Sequence, residues 1–358
     1  MKIKHVFLTA IITFSSLSVH AEVSYKTEVI ATGLDFPWCI EFLPNGDYLV
    51  TELVGNLRRI SAGEVSEPIA NVPPVFRMSQ GGLFDVILDE RFSENQKVYL
   101  SFADGDIDDN GTKVISATLG IDSLTNVEEV FSASPRKNGP VHYGGRMDWS
   151  NDGNLLITTG DGWNHREAVQ DVQTHFGKVI EIAIGNSDRT PAFENAPLVY
   201  SYGHRNPQGL VVASDGTILL NEHGPRGGDE VNVVTRGSNY GWPAITYGLD
   251  YNGAYVSPFT EHPSMEQPIH IWTPSIAPSG LAIYEGDMFP EWRGDLFVGA
   301  LVDAEVRRLE MENGEVVAEH TEFPEISDRV RDIRVAPDGS IFVLTDGNPG
   351  SIVRIYRD

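Results

Sequence analysis

Two short loop-forming stretches concentrate histidine and arginine in a chain that is otherwise acidic. Residues 202–210 read YGHRNPQGL and residues 222–230 read EHGPRGGDE, against a formal net charge of −25 for the whole sequence. Their glycines and prolines predict irregular backbone. Such backbone exposes carbonyl oxygens, which calcium accepts as ligands, so the Gly224-Pro225 segment is a candidate metal site. Arg205 is a candidate anion-binding residue, with a structural ion pair to one of the many acids as the alternative.

A second pair of arginines lies near the C-terminus, in residues 328–332 (DRVRD). Side chains alternate along a strand, so Arg329 and Arg331 would point to the same face. Two neighbouring guanidiniums repel unless an anion bridges them, and with Arg205 they suit a small polycarboxylate. The alternative is that the flanking aspartates neutralise the pair on an exposed face. Asp346 could orient the two arginines or be an ordinary turn residue.

A histidine and an aspartate lie at opposite ends of one hairpin-like unit. His142 opens the segment HYGGR and Asp161 follows in the segment GDG. Histidine is the natural proton acceptor near neutral pH, although a histidine that only caps a strand is an alternative. Gln80 precedes two glycines that would let its amide or the backbone approach a ligand, unless the segment is simply a tight turn.

A repeated pattern indicates the fold that positions these loops. An Asx-Gly-type turn followed by an apolar strand occurs at four places: 44–50, 151–157, 214–220 and 337–343. Two degenerate copies, 94–100 and 292–298, bring the number to about six. The spacing, with long insertions such as 241–275, is typical of four-stranded blades. We therefore predict an all-β, six-bladed β-propeller, with a pair of β-sandwiches as the competing architecture. Helical periodicity is almost absent, which argues against helix-rich α/β folds.

The chain has the hallmarks of an exported protein. Residues 1–21 combine two lysines, an apolar run and a small-x-small end, which predicts a secretory signal peptide followed by a single propeller domain over 22–358. We expect a periplasmic or secreted protein, with no membrane span in the mature chain. The acidic charge makes nucleic acid an unlikely partner. Cys39 is the only cysteine, so an internal disulfide is impossible and a buried, inert thiol is expected.

One acidic segment imitates a calcium-binding loop. Residues 106–111 (DIDDNG) match the first half of an EF-hand, but Ala117 stands where the glutamate at position twelve is required. We expect a solvated acidic loop there.

Taken together and in this order, five segments resemble the soluble quinoprotein aldose sugar dehydrogenases of the glucose/sorbosone dehydrogenase group. The segments are 80–85 (QGGLFD), 142–146 (HYGGR), 203–210 (GHRNPQGL), 222–225 (EHGP) and 329–332 (RVRD). The resemblance runs from about residue 33 to the C-terminus. It implies a six-bladed propeller that binds pyrroloquinoline quinone (PQQ), a tricarboxylate, together with Ca²⁺.

The resemblance also implies roles for individual residues. His142 would take the proton of the sugar's anomeric hydroxyl, and Arg205 would stabilise negative charge on the cofactor oxygen. Further positions match residues that contact the cofactor or orient the base: Gln80, Asp161, Asn206, Arg329, Arg331 and Asp346. The carbonyls of Gly224 and Pro225 match calcium ligands.

Two departures from the family pattern affect the expected cofactor site. Val302 stands where the soluble glucose enzymes have a lysine, so one cofactor carboxylate would lose a partner. In the segment 270–276, the tryptophan is displaced by one residue from its position in the soluble glucose enzymes. Thr273 and Ser275 are expected to line the pocket instead.

The leading hypothesis is an exported quinoprotein dehydrogenase that oxidises the anomeric hydroxyl of aldose sugars to lactones and passes electrons to a separate acceptor. The alternatives are a calcium-dependent lactonase on a similar propeller and a non-catalytic sugar-binding propeller. The oligomeric state, monomer or homodimer, is left open.

Overall fold

The computed structural model describes residues 23–185 and 189–357, and nearly all of its regular structure is β-strand. The strands form six four-stranded sheets, all of them antiparallel. The predicted six-bladed propeller is confirmed. The predicted signal peptide, residues 1–21, lies outside the described residues and stays a prediction. Within the described ranges, no helix has the length and apolar character of a membrane span.

The first three blades follow one another along the chain. Blade 1 contains β2 (Pro37–Phe42), β3 (Tyr48–Glu52), β4 (Asn56–Ser61) and β5 (Glu64–Val65). Blade 2 contains β6 (Leu83–Leu88), β7 (Lys97–Gly105), β8 (Asn110–Leu119) and β9 (Leu124–Ser132). Blade 3 contains β10 (Gly144–Trp149), β11 (Asn154–Thr159), β12 (Lys178–Ala183) and β13 (Val199–Tyr202).

The last three blades include the one that closes the ring. Blade 4 contains β14 (Pro207–Val212), β15 (Ile218–Glu222), β16 (Asp229–Val233) and β17 (His270–Trp272). Blade 5 contains β18 (Pro278–Ile283), β19 (Leu296–Ala300), β20 (Glu305–Glu312) and β21 (Glu315–Glu322). Blade 6 contains β22 (Val330–Val335), β23 (Ile341–Thr345), β24 (Gly350–Tyr356) and, at its outer edge, β1 (Lys26–Leu34).

Among the described residues, helical structure is confined to three short segments: α1 (Phe92–Asn95) and two 3₁₀ helices, Arg166–Gln170 and Pro290–Trp292.

Blade closure joins the two ends of the chain. β1 pairs antiparallel with β24, so the N-terminal strand completes a sheet whose other strands are C-terminal. The first strands of blades 1 to 5 and β22 contact one another in a ring around the axis. The second strands are buried almost throughout because a blade packs on each side, whereas the outer strand β21 alternates between exposed and partly buried residues.

The four Asx-Gly turns and the two degenerate copies of the repeat all precede the second strand of a blade. The predicted copies run into β3, β7, β11, β15, β19 and β23. These turns lie at one end of the channel, because they join the end of each first strand to the start of the second. The starts of the first strands and the ends of the second strands lie at the opposite end, which is where the five candidate segments meet.

Buried charges fill the channel below that end. Arg146 lies 3.0 Å from the carboxylate of Asp332 and stacks on Trp38 at 3.9 Å. Its guanidinium also donates to the carbonyl oxygens of Gln208 and Arg331, at 2.7 and 3.2 Å. One side chain thus links blades 3, 4 and 6 and supports the backbone that carries Arg331.

Two minor predictions are borne out by the same structure. Cys39 is buried, and burial raises the pKa of its thiol, as expected of an inert residue. Residues 106–109 form an exposed acidic turn between β7 and β8. Its backbone is held by Asp106, whose carboxylate accepts from the amides of Asp108 and Asp109.

Candidate active site

Two neighbouring cavities open at the end of the channel where the candidate segments meet. The central cavity, of about 320 Å³, is lined by side chains from all six blades, among them Gln80, Asn206, Val302, Arg329, Arg331 and Asp346. The side cavity, of about 380 Å³, is lined by His142, Asp161, Arg205 and Pro225, with Trp163 and Tyr251. His142 and Tyr143 are consecutive residues that line different cavities, so the two spaces are adjacent.

His142 is buried at the entrance to β10 and is held on both sides. Its backbone adopts φ of +57°, and its amide donates to Oε1 of Gln80 at 2.8 Å. Nδ1 lies 2.7 Å from Oδ1 of Asp161. The backbone of Gly160 passes so close that an added Cβ would lie 2.4 Å from the His142 carbonyl oxygen, which explains the glycine before Asp161.

The protonation state of His142 follows from these contacts. With Nδ1–H donating to a carboxylate, Nε2 is the ring nitrogen that remains to accept a proton. Burial lowers the pKa of His142, and the charge of Arg205 lowers it further, while the hydrogen bond to Asp161 acts in the opposite direction. The imidazole is therefore neutral at neutral pH and suited to a base.

Asp161 is the common acceptor for three donors. Besides His142, it accepts from the backbone amide of Trp163 at 2.7 Å and from the indole nitrogen of Trp242 at 2.9 Å. Burial favours the neutral acid, but the hydrogen bond from His142, the charge of Arg205 and the hydrogen bond from the amide of Trp163 outweigh it and lower the pKa of Asp161. The residue is a carboxylate that orients the base.

Arg205 is buried at the entrance to β14 and is directed towards the loop that follows β15. Its Nη1 donates to the carbonyl oxygens of Gly224 at 2.6 Å and His223 at 3.0 Å. Its backbone amide donates to Glu222, which also accepts from His204. The Nε of Arg205 is buried and has no hydrogen-bond partner among the described residues. One donor of this guanidinium is thus available to a ligand.

Asn206 presents a second buried donor. Its side-chain oxygen accepts from Gln208 at 3.3 Å, whereas its Nδ2 finds no partner in the described part of the chain. A buried, unsatisfied amide is costly, so its presence at a cavity wall suggests a ligand acceptor.

Arg329 and Arg331 converge on Asp346, as the sequence suggested. Oδ2 of Asp346 lies 3.0 Å from Nε of Arg329 and 3.4 Å from Nη2 of Arg331. Arg329 also donates to the carbonyl oxygen of Leu301 at 3.0 Å. The Nε of Arg331 is buried without a partner within the described ranges. One carboxylate faces two guanidiniums, so this wall of the central cavity keeps an excess of positive charge.

The predicted metal ligands lie in the loop after β15. A Cβ at Gly224 would lie 2.3 Å from the carbonyl oxygens of Gly227 and Gly228, so only glycine allows this compact turn. The Gly224 carbonyl is engaged by Arg205, and Pro225 lines the side cavity. No group of three or more His, Cys, Asp or Glu side chains suited to a metal occurs among the described residues. The two predicted ligands are neutral carbonyl oxygens, and that of Gly224 already accepts a hydrogen bond from Arg205.

Thr273 and Ser275 support this loop and do not line either cavity. Thr273 accepts from the amide of Gly228 at 3.2 Å, and Ser275 donates to Asp229 at 2.5 Å. Asp229 in turn accepts from the amide of Gly224 at 2.9 Å. Their expected contact with a cofactor has no counterpart in this geometry and stays a prediction.

Sequence reasoning missed several residues that line the cavities, among them three that carry charge or an aromatic ring into the site. Arg77 lines the central cavity and is held by the carbonyl oxygens of Ser79 and Gly81, at 2.7 and 3.2 Å. Trp163 and Tyr251 line the side cavity. The position of Trp163 directly after the GDG segment was the available indication for it. Tyr251 lies in an aperiodic insertion that gave none.

Comparison with known proteins gives a consistent result. A sequence model of the Glucose / Sorbosone dehydrogenase family matches residues 34–354. The chain is 36% identical to the aldose sugar dehydrogenase YliI of Escherichia coli (strain K12), over 98% of this chain and 97% of that protein. A crystal structure of glucose dehydrogenase, 37% identical, superposes with a TM-score of 0.89 over 93% of this chain and 100% of the other.

A more distant solved structure contains a cofactor. The PQQ-bound form of an aldose sugar dehydrogenase from Streptomyces coelicolor is 25% identical and has a TM-score of 0.76, over 93% of this chain and 98% of that chain.

Proposed function

The chain belongs to the glucose/sorbosone dehydrogenase family, and from this membership we propose that it is an exported, PQQ-dependent dehydrogenase that oxidises the anomeric hydroxyl of aldoses to lactones. The observation that carries the proposal is the buried His142–Asp161 pair beside a cavity lined by guanidiniums. The PQQ-bound relative from Streptomyces coelicolor supports the choice of cofactor.

The residues of the central cavity fit a polycarboxylate quinone. Arg331 and Asn206 each carry a buried nitrogen that no described residue satisfies, and Arg205, which lines the side cavity, carries another. Arg329 and Arg77 add charge at the rim. Charge-assisted bonds from these donors would hold the carboxylates, and the amide of Asn206 would hold a ring oxygen. When bound, PQQ supplies the two-electron acceptor for a hydride from C1 of the sugar.

Proton transfer is assigned to His142. Its Nε2 is directed by the Nδ1 contact with Asp161 and accepts the proton of the anomeric hydroxyl as the hydride leaves C1. Asp161 stabilises the imidazolium that forms, because it is an ionised carboxylate in a buried setting. The sugar thereby loses one hydride and one proton and becomes the lactone.

Arg205 is assigned the stabilisation of negative charge. Its guanidinium is buried, partly fixed by the carbonyls of His223 and Gly224, and packed near the ring of Trp242 at 5.2 Å. A donor that is already oriented costs no reorganisation when charge develops beside it.

Calcium belongs to the same proposal, with a condition. Gly224 and Pro225 offer neutral carbonyls, and the first of them is held by Arg205. Calcium prefers six to eight oxygen ligands, so these two carbonyls would hold the ion only if further oxygens, from the cofactor or from water, were supplied. The protein therefore binds the ion together with the cofactor, and no step of the proton transfer above depends on it.

The first test is reconstitution. The purified mature chain is mixed with PQQ and Ca²⁺, and reduction of an artificial electron-accepting dye is followed with a panel of aldoses. Sugar-dependent reduction that EDTA abolishes supports the proposal, and His142→Ala should retain PQQ but lose turnover. Lactone hydrolysis without PQQ uptake would favour the lactonase alternative. Unimpaired sugar binding with no turnover would favour the binding alternative.

Location, partner and assembly are part of the proposal as well. The predicted signal peptide favours a periplasmic or secreted enzyme, and electrons would leave through a separate acceptor. Size-exclusion chromatography with light scattering distinguishes monomer from homodimer.

A further inference from the structure

A buried glutamate at the end of β15 holds the backbone of Arg205. Glu222 is 3% exposed, and its Oε2 accepts from the backbone amide of Arg205. Its other oxygen, Oε1, lies 2.9 Å from Nδ1 of His204, and Nε2 of that ring lies 2.9 Å from Oγ of Ser201. Ser201 and His204 are fully buried. The three side chains form a hydrogen-bonded series that ends on the arginine of the candidate site.

The order serine, histidine, carboxylate is that of hydrolytic triads, but its position excludes that use. A nucleophilic serine must meet its substrate, whereas Ser201, His204 and Glu222 line neither the central nor the side cavity. Tyr240 also covers His204, with ring centroids 4.7 Å apart at an interplanar angle of 20°. A buried polar network with satisfied members makes its surroundings rigid, so these contacts hold Glu222 in one orientation.

Arg205 is fixed at both its backbone and its side chain by the same stretch of chain. Glu222 binds its amide, and the carbonyl oxygens of the next two residues, His223 and Gly224, accept from its Nη1 at 3.0 and 2.6 Å. The amide of His223 in turn donates to the carbonyl oxygen of Asn206 at 3.2 Å. The direction of the guanidinium therefore depends on where β15 ends.

The carbonyl oxygen of Arg205 extends this restraint to the proposed base. It accepts from the backbone amide of Asp161 at 2.8 Å, and Asp161 orients His142. Arg205 thus connects Glu222 in blade 4 to the histidine and aspartate of blade 3. A displacement of about 1 Å at a reacting group can reduce a rate ~100-fold, so a contact that fixes both groups bears on turnover.

Blade 1 contains an equivalent of the bond between Glu222 and the Arg205 amide. Glu52 is the last residue of β3, as Glu222 is the last residue of β15, and it is 1% exposed. Its Oε1 accepts from the backbone amide of Asp35 at 2.9 Å. Asp35 stands two residues before the first strand of blade 1, and Arg205 stands two residues before that of blade 4. We call this carboxylate–amide bond the clasp of a blade.

The two clasps differ in what they hold. In blade 1, Oε2 of Glu52 accepts from Asn56 and Arg58, at 2.7 and 3.0 Å, and Asp35 lines neither cavity. In blade 4, the residue that is held is Arg205, which lines the side cavity. The same local device thus supports only the propeller in one blade and a residue of the candidate site in the other.

We propose that Glu222 is a positioning residue that acts through Arg205. It fixes the guanidinium and, through the Arg205 carbonyl, the carboxylate that orients His142, while His204 keeps Glu222 in place. This inference rests on the proposed dehydrogenase function and adds to it a residue that lines neither cavity.

The kinetic test compares the two clasps. Glu222→Ala removes the one in blade 4, and Glu52→Ala removes its equivalent in blade 1 and is the matched control. Glu222→Gln is the conservative variant, because its oxygen can accept from the Arg205 amide and its nitrogen can donate to His204 in the other tautomer. Steady-state constants are measured with glucose and expressed per site occupied by PQQ, which absorbance titration counts, so that unfolded protein does not enter the result.

The expected loss is in kcat. Glu222→Ala should lower kcat per occupied site at least about 30-fold and change KM for glucose less than about 3-fold, because the groups that it displaces act in the transition state. Glu222→Gln should restore kcat to within about 5-fold of the parent protein, and Glu52→Ala should keep it within about 2-fold. Glu222→Asp keeps the charge but withdraws it by one methylene; it is the milder variant and should lower kcat about 10-fold.

Hydrogen–deuterium exchange on the cofactor-free protein measures the restraint without turnover. In Glu222→Ala, peptides that contain Arg205 or Asp161 should exchange at least about 10-fold faster, because both amides depend on the clasp. In Glu52→Ala, the faster exchange should be confined to peptides around Asp35. The response at Asp161 is the decisive one, since this residue has no contact with Glu222 except through Arg205.

The remaining outcomes separate the inference from the function. A kcat per occupied site that falls no further in Glu222→Ala and Glu222→Asp than in Glu52→Ala would overturn the positioning role, as would unchanged exchange at Asp161. If the parent protein takes up PQQ but never reduces dye, the dehydrogenase function is contradicted, and the exchange measurement still decides whether the clasp restrains Arg205 and Asp161.

Discussion

Asp161 lies 2.7 Å from Nδ1 of His142 and at the same distance from the backbone nitrogen of Trp163. One carboxylate therefore orients the proposed base and fixes the wall of the cavity in which its substrate would lie. The indole nitrogen of Trp242 donates to the other oxygen of Asp161. The three donors keep the group ionised in a buried position, so the base and the cavity wall share a single support.

Asp161→Asn should reduce kcat/KM by a factor on the order of 100 to 10,000, because an amide can no longer enforce the tautomer or stabilise the imidazolium. PQQ binding, measured by absorbance titration, should change little. Trp242→Phe is the matched control, since it removes another donor to the same carboxylate without touching His142, and it should retain most activity. Equal losses in both variants would mean that Asp161 acts only through general packing.

The pH dependence of kcat/KM follows from the environment of His142. Burial lowers the pKa of this imidazole, so its neutral form persists to a lower pH than that of a free histidine, about 6.5. On the acid side, kcat/KM should therefore fall only below a pH of about 6.5. Asp161→Asn removes a contact that raises the pKa of His142, so its acid limb should move to still lower pH although its rate is lower. An acid limb that shifted upward would contradict the assignment of His142 as the base.

Arg331 and Arg329 should contribute unequally to cofactor affinity. Arg331 is 12% exposed and has a buried Nε without a partner in the described structure, whereas Arg329 is 52% exposed. Arg331→Ala should weaken PQQ binding at least about 30-fold, and Arg329→Ala by about 5-fold or less. Equilibrium dialysis measures the PQQ affinity of both variants. It is done at two salt concentrations, because salt should strongly screen only the contact made by the exposed Arg329. A greater loss for Arg329→Ala would show that the cofactor binds nearer the rim.

The propeller could be predicted because its repeated unit is local. An Asx-Gly turn followed by an apolar strand specifies a hairpin, and four such copies with two degenerate ones precede the second strands of the six blades. The strand that closes the ring carries no such copy. β1 pairs with β24 at the other end of the chain, and a contact of that range leaves no periodic trace in the sequence.

The site could be predicted in part for the same reason. His142 and Asp161 belong to one β-hairpin, so their spacing along the chain implied a meeting in space. Trp163 was missed because its position depends on a hydrogen bond to Asp161 and a positive φ that no local pattern specifies. Tyr251 was missed because it reaches the cavity from an insertion without periodicity.

Calcium and PQQ should bind cooperatively. The Gly224 carbonyl is hydrogen-bonded to Arg205, so an ion alone finds few free oxygens in the described loop. Calorimetry should show weak Ca²⁺ binding to the protein without quinone and at least about 10-fold tighter binding with it, and the reciprocal gain for PQQ must be equal. Calcium that binds the quinone-free protein as tightly as the loaded one would place its site elsewhere. In that contradicting case, EDTA should leave the PQQ affinity unchanged.

Val302→Lys offers a test by gain of affinity. Val302 lines the central cavity on the side of Arg329 and is 62% exposed, so a lysine can be accommodated without disturbing the core. If a cofactor carboxylate lies there, the added charge should tighten PQQ binding about 2- to 5-fold, an effect that high salt removes. Val317→Lys places the same charge on β21, outside both cavities, at a valine that is 50% exposed. A similar gain in both variants would reflect only the lower net negative charge of the protein, whereas weaker binding in Val302→Lys alone would mean that the carboxylates face away from this wall.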